Sequence, residues 1–359
     1  MVSSLSAVMT KFYLRVNKIP AYSKIPSIQN NIVNLLSLFL LFLIFPIITS
    51  CNEVDSNNTQ SYNYHEYYTI NNFMKTHHFN NGKGYEFKTE RTNNLLIILD
   101  GFSFGSTLDS ASVPLLLKLY PRFTIFIPEK FYRTSGVSYL NDPEERERYT
   151  INNLLDNYED IIFEYLSVNN FDSIVMVGIS EGAFIMPILY SRLNNPNITN
   201  LISIAGGGLS AHEYYQIIAA DKELLSSLDL FVRISIKLTY IRINKLYKTE
   251  PYPDSIKRLN NNPRTITYKY LNSLIHIRPF DYYENIDIPV LFLHGKLDTN
   301  VHVESTRYVE KNLPLKPFSY IYYPDTAHYI NHIEGLGHSN DLERTVINDI
   351  RDWFTLNGL

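Results

Sequence analysis

A series of short apolar runs, separated by longer helix-compatible stretches, constrains the fold of this chain more than any other feature. Several runs are almost continuously apolar, as expected of strands that are buried on both faces of a largely parallel sheet. Repeated strand–helix units of this kind predict an α/β fold with a mostly parallel central sheet flanked by helices. From about residue 84 onward the runs read YEFKTE, LLIILDG, FTIFIP, SIVMVGI, LISIAGG, VLFLHG and FSYIYYP.

Two other stretches lack this alternation. Residues 52–82 are polar and rich in Asn, Tyr and His, which predicts a tether or an irregular N-terminal arm before a domain that covers residues 83–359. Residues 210–285 combine helical and ambiguous patterning and lie between LISIAGGG and IPVLFLHG. Within that stretch, alternation from Ile234 to Tyr240 fits a strand almost as well as a helix, so periodicity leaves the choice open.

The first 51 residues are predicted to be a targeting segment. Residues 1–52 contain four of the 32 basic residues and none of the 36 acidic ones, and no charge lies between Ile25 and Asn52. A basic flank followed by a long apolar run is typical of a secretory signal or of a single membrane anchor. We therefore expect the remaining protein to be membrane-anchored or exported, with its main domain outside the cytoplasm.

The apolar run ends in ITSC, whose last residue, Cys51, is the only cysteine of the chain. This tetrapeptide resembles the lipobox of bacterial lipoproteins, in which the cysteine is lipidated and becomes the mature N-terminus. Two alternatives stay open: an uncleaved transmembrane anchor, and a buried, unreactive thiol. A single cysteine also excludes an intramolecular disulfide framework.

The pattern G-x-S-x-G occurs in VMVGISEGAF, around Ser180. A nucleophile elbow requires a strand, a very tight turn and a helix, and the flanking glycines leave room for the strained backbone and for close helix–strand contact. Here SIVMVGI predicts the strand and EGAFIMPILYSRL the helix, although Pro187 removes one backbone hydrogen bond from that helix. This context favours Ser180 as a nucleophile over an ordinary turn serine.

A serine nucleophile needs a general base that is itself oriented by a carboxylate. In a sheet of this kind the chain order is Ser, then Asp or Glu, then His, each past the end of a later strand. Asp298 follows the run VLFLHG by three residues, and His328 lies on the loop after FSYIYYP. These positions make Asp298 the candidate orienting acid and His328 the candidate general base. Asp325 is the rival acid, and the rival histidines on the same segment are His332 and His338.

The chain from about residue 84 to 359 resembles the α/β-hydrolase superfamily. The motifs that carry the resemblance are GISEG, LHGKLDTNV and YPDTAH, in this order. The resemblance implies that Ser180 is the nucleophile, Asp298 the orienting acid and His328 the general base. It also implies that residues 210–285 form the variable cap that many members insert at this point.

The oxyanion hole that this resemblance implies uses two backbone N–H groups. One belongs to Glu181, the residue after the nucleophile. The other is expected from Phe102, in LLIILDGFSFGS, where many family members carry His-Gly followed by a bulky residue. Asp100 replaces that histidine here, and its charge is expected to weaken activity unless the side chain points away or is neutralised.

These features predict a serine hydrolase that acts through an acyl-enzyme on an ester-type substrate, as a carboxylesterase does. An exported serine peptidase or an acyltransferase is the enzymatic alternative, and a non-catalytic binding member of the fold is the alternative from another class. The expected partners are a small-molecule acyl substrate and, through the N-terminal segment, a membrane. We expect no cofactor, metal or nucleic acid, because the sequence lacks metal-ligand spacing, a phosphate-binding loop and a block of like charges.

Overall fold

The structure, a computed structural model, describes most of the chain beyond residue 73. Cys51 and the rest of residues 1–73 lie outside the described residues, so the expectations for the targeting segment and for most of the tether stay predictions. The described residues are 74–102, 107–109, 113–130, 148–222, 225, 230–248, 268–298, 300–328, 330, 332–333 and 337–359.

The strands carry the apolar runs, and the helices lie between them. The strands are β1 (Met74–Phe79), β2 (Gly82–Phe87), β3 (Asn94–Leu99), β4 (Thr124–Pro128), β5 (Ser173–Ile179), β6 (Ile198–Ile204), β7 (Val290–Gly295), β8 (Phe318–Tyr323), β9 (His332–Ile333) and β10 (Gly337–His338). The helices are α1 (Val113–Leu117), α2 (Ile151–Ser167), α3 (Glu181–Leu193), α4 (Ala211–Ala220), α5 (Leu230–Tyr247), α6 (Tyr268–Ile275), α7 (Phe280–Tyr283), α8 (Glu304–Asn312) and α9 (Asn340–Leu356). α3 continues through Pro187.

Eight strands form one sheet in the order β1-β2-β4-β3-β5-β6-β7-β8. β2 pairs antiparallel with β1 and with β4, and the other neighbouring strands pair in parallel. Parallel strands direct their carboxyl ends to one edge of the sheet, so the loops after β3, β5, β7 and β8 meet at that edge. β9 and β10 form a separate antiparallel pair.

Side chains on both faces of the sheet are buried. Along β3, Leu95, Ile97 and Leu99 pack into one hydrophobic cluster, whereas Leu96 and Ile98 pack into another. Helices α2 and α3 contribute to the first cluster, and α1 and α9 contribute to the second. Because successive strand residues point to opposite faces, a strand covered by helices on both faces is apolar at every position. The predicted α/β architecture is therefore confirmed.

The sheet begins earlier in the chain than the sequence predicts. β1 lies within residues 52–82, the predicted tether, and is the edge strand next to β2. Its residues alternate irregularly between exposed and half-buried positions. An edge strand keeps part of its surface in solvent, so MKTHHF lacks the continuous apolar run that marks the inner strands. The structure corrects this boundary, because residues 74–79 form a strand of the sheet and residue 82 begins the next strand.

By its contacts the chain divides into two units. The larger comprises residues 63–224 and 240–359 and contains the whole sheet, while the smaller is described at residue 225 and over residues 230–239, where the chain is helical. The alternating segment that begins at Ile234 lies in α5, so the helical reading of its pattern is the one observed. Among the described helices, none combines the length and the apolar character needed to cross a membrane.

Candidate active site

Ser180 lies in a tight turn between β5 and α3. Its backbone has φ 52° and ψ −111°, in the region of positive φ that non-glycine residues rarely adopt. The turn depends on the neighbouring glycines: a methyl group on Gly182 would overlap the carbonyl oxygen of Leu99, and one on Gly178 would lie 2.5 Å from Ala183 Cα. Strand, strained turn and helix together form the geometry of a nucleophile elbow.

The structure brings Ser180, Asp298 and His328 together at the carboxyl edge of the sheet. His328 Nε2 lies 2.9 Å from Ser180 Oγ, and His328 Nδ1 lies 2.8 Å from Asp298 Oδ2. Because an ionised carboxylate only accepts hydrogen bonds, Nδ1–H donates to Asp298, and Nε2 of the neutral ring accepts from the serine hydroxyl. The three side chains form a continuous hydrogen-bonded series with the connectivity that an activated serine requires.

Its surroundings hold Asp298 in the ionised form. The side chain is fully buried, and Oδ1 accepts hydrogen bonds from the backbone N–H groups of Asn300 at 2.8 Å and Val301 at 2.9 Å. Burial alone would raise the pKa of this carboxyl, but the charges and hydrogen bonds of His328 and His294 outweigh burial and hold the pKa well below its usual range. Asp298 therefore remains a carboxylate through the neutral pH range.

His328 lies between that carboxylate and the serine hydroxyl, in contact with both. Only 14% of its side chain is exposed. Burial acts to lower the pKa of His328, but the charge and hydrogen bond of Asp298 act in the opposite direction, and the pKa lies above the ordinary histidine value. A ring that holds a proton more firmly is a stronger base towards the Ser180 hydroxyl.

The alternative acid and the alternative histidines lie elsewhere. Asp325 is exposed on the turn after β8, whereas His328 Nδ1 contacts Asp298. His332 and His338 are paired with each other across β9 and β10. Asp298 and His328 are therefore the candidates that hydrogen bonds join to Ser180, and their roles as acid and base stay predictions.

Both backbone segments expected to form the oxyanion hole lie at the elbow. A methyl group on Gly101 would lie 3.1 Å from Ser180 Cβ and 3.2 Å from the carbonyl oxygen of Ile179, so the backbone that leads into Phe102 passes beside the serine. Glu181 is the first residue of α3, where the N–H groups have no acceptor within the helix. The N–H groups of Glu181 and Phe102 thus belong to backbone next to Ser180, and their part in catalysis stays a prediction.

The Glu181 side chain is buried among hydrogen-bond donors. Lys130 Nζ lies 2.7 Å from Glu181 Oε2, and these two side chains are 0% and 3% exposed. The Tyr149 hydroxyl lies 2.7 Å from both carboxylate oxygens, and the Tyr270 hydroxyl donates to Oε1 through a short hydrogen bond. Lys130 Nζ also donates to the carbonyl of Gly101 at 2.6 Å. This cluster of Glu181, Lys130, Tyr149 and Tyr270, the Glu181 network, joins the elbow to the loop after β3.

Three aromatic rings pack together at the Glu181 network. The rings of Tyr149 and Tyr270 stack with their centroids 4.9 Å apart and their planes at 7°. The Phe102 ring is tilted against both, with centroid distances of 5.8 Å and 5.6 Å. Since Tyr270 belongs to α6, the stretch predicted to be a cap supplies one hydroxyl of the network. The packing also orients Phe102, whose backbone N–H is the second predicted oxyanion donor.

A second buried carboxylate holds the far end of the loop after β3. Glu129 is fully buried and accepts hydrogen bonds from the backbone N–H of Thr107 at 3.1 Å, from the Thr107 hydroxyl at 2.5 Å and from the Tyr85 hydroxyl at 3.1 Å. Lys130, the next residue, donates to Gly101 at the near end of the same loop. The two charged residues that directly follow β4 therefore fix both ends of the loop that carries Phe102.

Sequence reasoning missed these supporting residues. Glu129 and Lys130 did give a signal, because they are two charged residues directly after the buried run FTIFIP, at the strand end where α/β sheets place functional groups. Tyr149 and Tyr270 gave none, since the chain has 28 tyrosines and no pattern distinguishes these two. Their contribution depends on α6 lying close to the start of α2.

Asp100, which replaces the histidine of the family pattern, is buried at the end of β3 with 1% of its surface exposed. Lys130 Nζ is hydrogen-bonded to the carbonyl of the next residue, Gly101, which places a positive charge beside this stretch of backbone. The expected weakening of activity by Asp100 stays a prediction.

The described site places a serine hydroxyl, an imidazole hydrogen-bonded to it, and backbone N–H groups next to one another. Within the part of the chain that the structure describes, no group of three or more His, Cys, Asp or Glu side chains could hold a metal ion.

Solved structures of several hydrolases are similar to this chain. Est1E from Butyrivibrio proteoclasticus, with ferulic acid bound, matches with 14% sequence identity over 79% of this chain and 98% of its own, at a TM-score of 0.50. A lipase-esterase related protein from Clostridium acetobutylicum matches with 15% identity over 78% of this chain and 99% of its own, at a TM-score of 0.47. Acylaminoacyl peptidase from Pyrococcus horikoshii matches with 15% identity over 79% of this chain and 41% of its own, at a TM-score of 0.49.

No protein-family model matches the sequence, and no curated protein matches it. At identities of 14–15%, the likeness to solved structures concerns the fold. The eight-stranded, mostly parallel sheet with helices on both faces, the order of its strands and the likeness to Est1E show that the chain has the α/β-hydrolase fold.

Proposed function

We propose that this protein is a serine hydrolase that acts through an acyl-enzyme on an ester-type substrate, as a carboxylesterase does. The observation that carries the proposal is the hydrogen-bonded series from Ser180 Oγ through His328 to Asp298, with the serine held at positive φ. Strained non-glycine backbone costs stability, so its coincidence with a hydrogen-bonded imidazole–carboxylate pair at one serine favours a catalytic role.

The first half-reaction forms the acyl-enzyme. Ser180 Oγ attacks the carbonyl carbon while His328 Nε2 takes the hydroxyl proton, and the electron pair of the carbonyl bond moves to its oxygen. The N–H groups of Glu181 and Phe102 stabilise that oxyanion. The intermediate then expels the alcohol, which takes the proton from His328. Asp298 stays ionised and stabilises the imidazolium while it exists.

The second half-reaction releases the acid and restores the serine. A water molecule gives one proton to His328 Nε2 as its oxygen attacks the acyl carbon. When the intermediate collapses, the carbon–Oγ bond breaks and His328 returns the proton to Ser180. Protons and electron pairs balance over the cycle, and the products are one alcohol and one carboxylic acid.

Labelling with a fluorophosphonate probe tests the proposal, since an activated serine displaces the leaving group of the probe and an ordinary serine does not. We expect one adduct per chain, located on Ser180 by peptide mass spectrometry, and none in Ser180→Ala. Ser167→Ala, at the C-terminal end of α2, is the matched control and should label as the wild type does. A folded wild-type protein that takes no label would contradict the proposal and favour the non-catalytic alternative.

A substrate panel decides the reaction subclass. We expect turnover of activated short-chain esters to exceed that of thioesters and of peptide amides. Faster cleavage of short peptides would identify a serine peptidase instead. Transfer of the acyl group to an added alcohol or amine in preference to water would identify an acyltransferase.

We also propose that residues 1–51 export the chain or anchor it to a membrane, with Cys51 lipidated. The support is the basic flank, the uncharged run and the ITSC tetrapeptide at its end. Cys51→Ser is expected to block lipidation and the associated cleavage, leaving a slower-migrating precursor. Intact mass spectrometry of detergent-extracted protein checks this, because an unmodified N-terminus upstream of residue 51 would contradict lipidation and favour a transmembrane anchor.

A further inference from the structure

Lys130 contacts both of the backbone segments that are predicted to form the oxyanion hole. It is the second residue after β4, and β4 is the parallel neighbour of β3, so Lys130 starts from the edge of the sheet at which the loop after β3 begins. Its Nζ lies 2.7 Å from Glu181 Oε2 and 2.6 Å from the carbonyl oxygen of Gly101. One ammonium group therefore joins the first residue of α3 to the peptide group that precedes Phe102.

Charge compensation alone does not account for the second of these contacts. A lysine side chain that is 0% exposed needs a counter-charge and acceptors for its N–H groups. Glu181 supplies the counter-charge, whereas the Gly101 carbonyl carries no charge. A hydrogen bond from an ammonium group is shorter and about twice as strong as one between neutral groups. The contact with Lys130 therefore strongly restrains the Gly101 carbonyl.

The Gly101 carbonyl and the Phe102 N–H belong to the same peptide group. This peptide is planar and trans, so its C=O and its N–H point in opposite directions. Because Lys130 Nζ binds the carbonyl, the Phe102 N–H is directed away from Nζ. Glycine permits rotation of a neighbouring peptide more readily than other residues do. The hydrogen bond from Lys130 thus removes a freedom that Gly101 would otherwise give to this peptide.

We propose that Lys130 is a positioning residue for the oxyanion hole. It holds the Gly101–Phe102 peptide with its N–H towards the oxygen that gains negative charge in the reaction. A donor on the carbonyl also polarises the peptide, which makes the Phe102 N–H a stronger donor. Through Glu181, Lys130 restrains the residue that supplies the other predicted N–H. The inference rests on the serine-hydrolase function proposed above.

The test variant has to remove the hydrogen bond to Gly101 without leaving a buried charge unpaired. Lys130→Met alone leaves the Glu181 carboxylate without its cation, so a loss of activity would not be separable from a loss of folding. Lys130→Met combined with Glu181→Gln removes both charges and still leaves the Gly101 carbonyl without its donor. Urea unfolding checks that this double variant is folded. Lys316→Met, which removes a lysine paired with an exposed aspartate, is the control.

Nuclear magnetic resonance can observe this peptide alone, because the dipeptide Gly-Phe occurs once in the chain, at Gly101–Phe102. The full chain in detergent, labelled with ¹³C-carbonyl glycine and ¹⁵N-phenylalanine, gives one carbon-coupled amide signal. A hydrogen bond moves a carbonyl ¹³C signal downfield, so the Gly101 signal should move upfield in the double variant and stay in place in Lys316→Met. An unchanged signal in the double variant would overturn the proposal. The measurement needs no turnover, so it decides the restraint on Gly101 even if Ser180 proves unreactive.

The fluorophosphonate adduct tests the direction of the N–H in the wild-type chain, without any variant. The adduct on Ser180 places a phosphonyl oxygen where the oxyanion would lie. We expect the Phe102 amide proton signal to move downfield on labelling, because the N–H then donates to that oxygen. A signal that stays in place in fully labelled protein would exclude the positioning role. An absence of labelling would instead count against the proposed function.

Steady-state kinetics measure the consequence for the reaction. In the double variant kcat for an activated ester should fall by about 10²-fold, as on loss of an oxyanion donor. KM should stay nearly unchanged, because the interaction is made in the transition state. Tyr165→Phe, which removes a hydrogen bond from the buried carboxylate of Glu86, is a destabilised control and should keep the wild-type kcat. A folded double variant with the wild-type kcat, or one in which only KM changes, would overturn the proposal.

Discussion

Two buried carboxylates lie next to Ser180, and their surroundings give them different tasks. Asp298 is paired with histidine rings and backbone N–H groups. Glu181 is paired with Lys130 and two tyrosine hydroxyls. In the proposed mechanism the charge of His328 changes when it takes and returns a proton, whereas Lys130 takes no part in the proton transfer. Asp298 is therefore paired with a group that would change its charge during the proposed reaction, and Glu181 is paired with one that would not.

The difference teaches that burial alone does not identify a catalytic carboxylate. Asp298 and Glu181 are 1% and 5% exposed, so the extent of burial does not distinguish them. What separates them is the partner and its contact with the serine: His328 touches Ser180 Oγ, while Lys130 touches the carbonyl of Gly101. In the proposed mechanism the environment of Asp298 would serve proton transfer, while the contacts of Glu181 place the backbone beside Ser180.

Asp298→Asn should have the largest effect on turnover. An amide in this place favours the wrong tautomer of His328, so we expect kcat for an activated ester to fall by about 10⁴-fold. Steady-state kinetics on the folded variant measure it. Asp325→Asn is the matched control, since Asp325 is exposed, and should retain nearly full activity. If the two variants showed the reverse order, the acid would have to be reassigned to Asp325.

Lys130→Met should have the largest effect on stability. It leaves the Glu181 carboxylate buried without its cation, which costs about 3–5 kcal/mol of unfolding free energy. Lys316→Met is the control, because Lys316 pairs with Asp287, which is 88% exposed, and such a surface pair contributes less than about 1 kcal/mol. Urea unfolding measures the free energy of unfolding of both variants.

A double variant sharpens this result. Lys130→Met combined with Glu181→Gln removes the unpaired charge, so it should recover part of the stability lost in Lys130→Met. Equal losses for Lys130→Met and Lys316→Met would show that the Glu181 network does not behave as a buried ion pair.

Tyr270→Phe tests the network where α6 joins it. It removes one hydrogen bond to a buried carboxylate, and we expect a loss of about 1.5–3 kcal/mol in unfolding free energy. Tyr322→Phe is a matched control, because the Tyr322 hydroxyl contacts Glu310 at 2.7 Å in an exposed position. The midpoint of the pH–rate acid limb should stay unchanged in Tyr270→Phe, since Asp298 is the charged partner that raises the pKa of His328. A shifted midpoint would show that the Glu181 network also influences the protonation of His328, so the two carboxylates would not have separate tasks.

The smallest effect concerns pH in the unmodified chain. The pKa of His328 is raised, so kcat/KM should increase with pH through a midpoint above the ordinary histidine value of about 6.5. For stability the sign is the opposite: the His328 contribution is fully present below about pH 6.5 and is lost as pH rises through the raised pKa. A rate profile whose midpoint lay below the ordinary value would contradict the placement of His328.

The pKa of Asp298 gives the other side of the stability profile. Because this pKa is depressed, the Asp298 contribution is present above the unfolded value of about 3.9 and is lost as pH falls towards the folded pKa. In Asp298→Asn the loss of stability below about pH 4 should therefore become shallower. Urea unfolding at several pH values measures it, and an unchanged slope would contradict the depressed pKa.

The sequence by itself determined the sheet and the chain order of the candidate triad. Inner parallel strands are buried on both faces, so their apolar runs are continuous and can be found without a structure. Ser180, Asp298 and His328 each follow such a run, and strand ends on one edge meet in space. The start of the sheet was not predictable in this way, because β1 is an edge strand with exposed, polar residues.

Only the tertiary structure decided which buried charges support the candidate site. Tyr270 comes from α6, 89 residues after Glu181 in the chain, and no local pattern encodes a contact over that distance. The hydrogen bond from the Thr306 hydroxyl to the carbonyl of Gly206 likewise joins residues 100 positions apart. Local periodicity reports which face of an element is buried. Hydrogen-bond partners depend on which elements pack together, and that is a property of the folded chain.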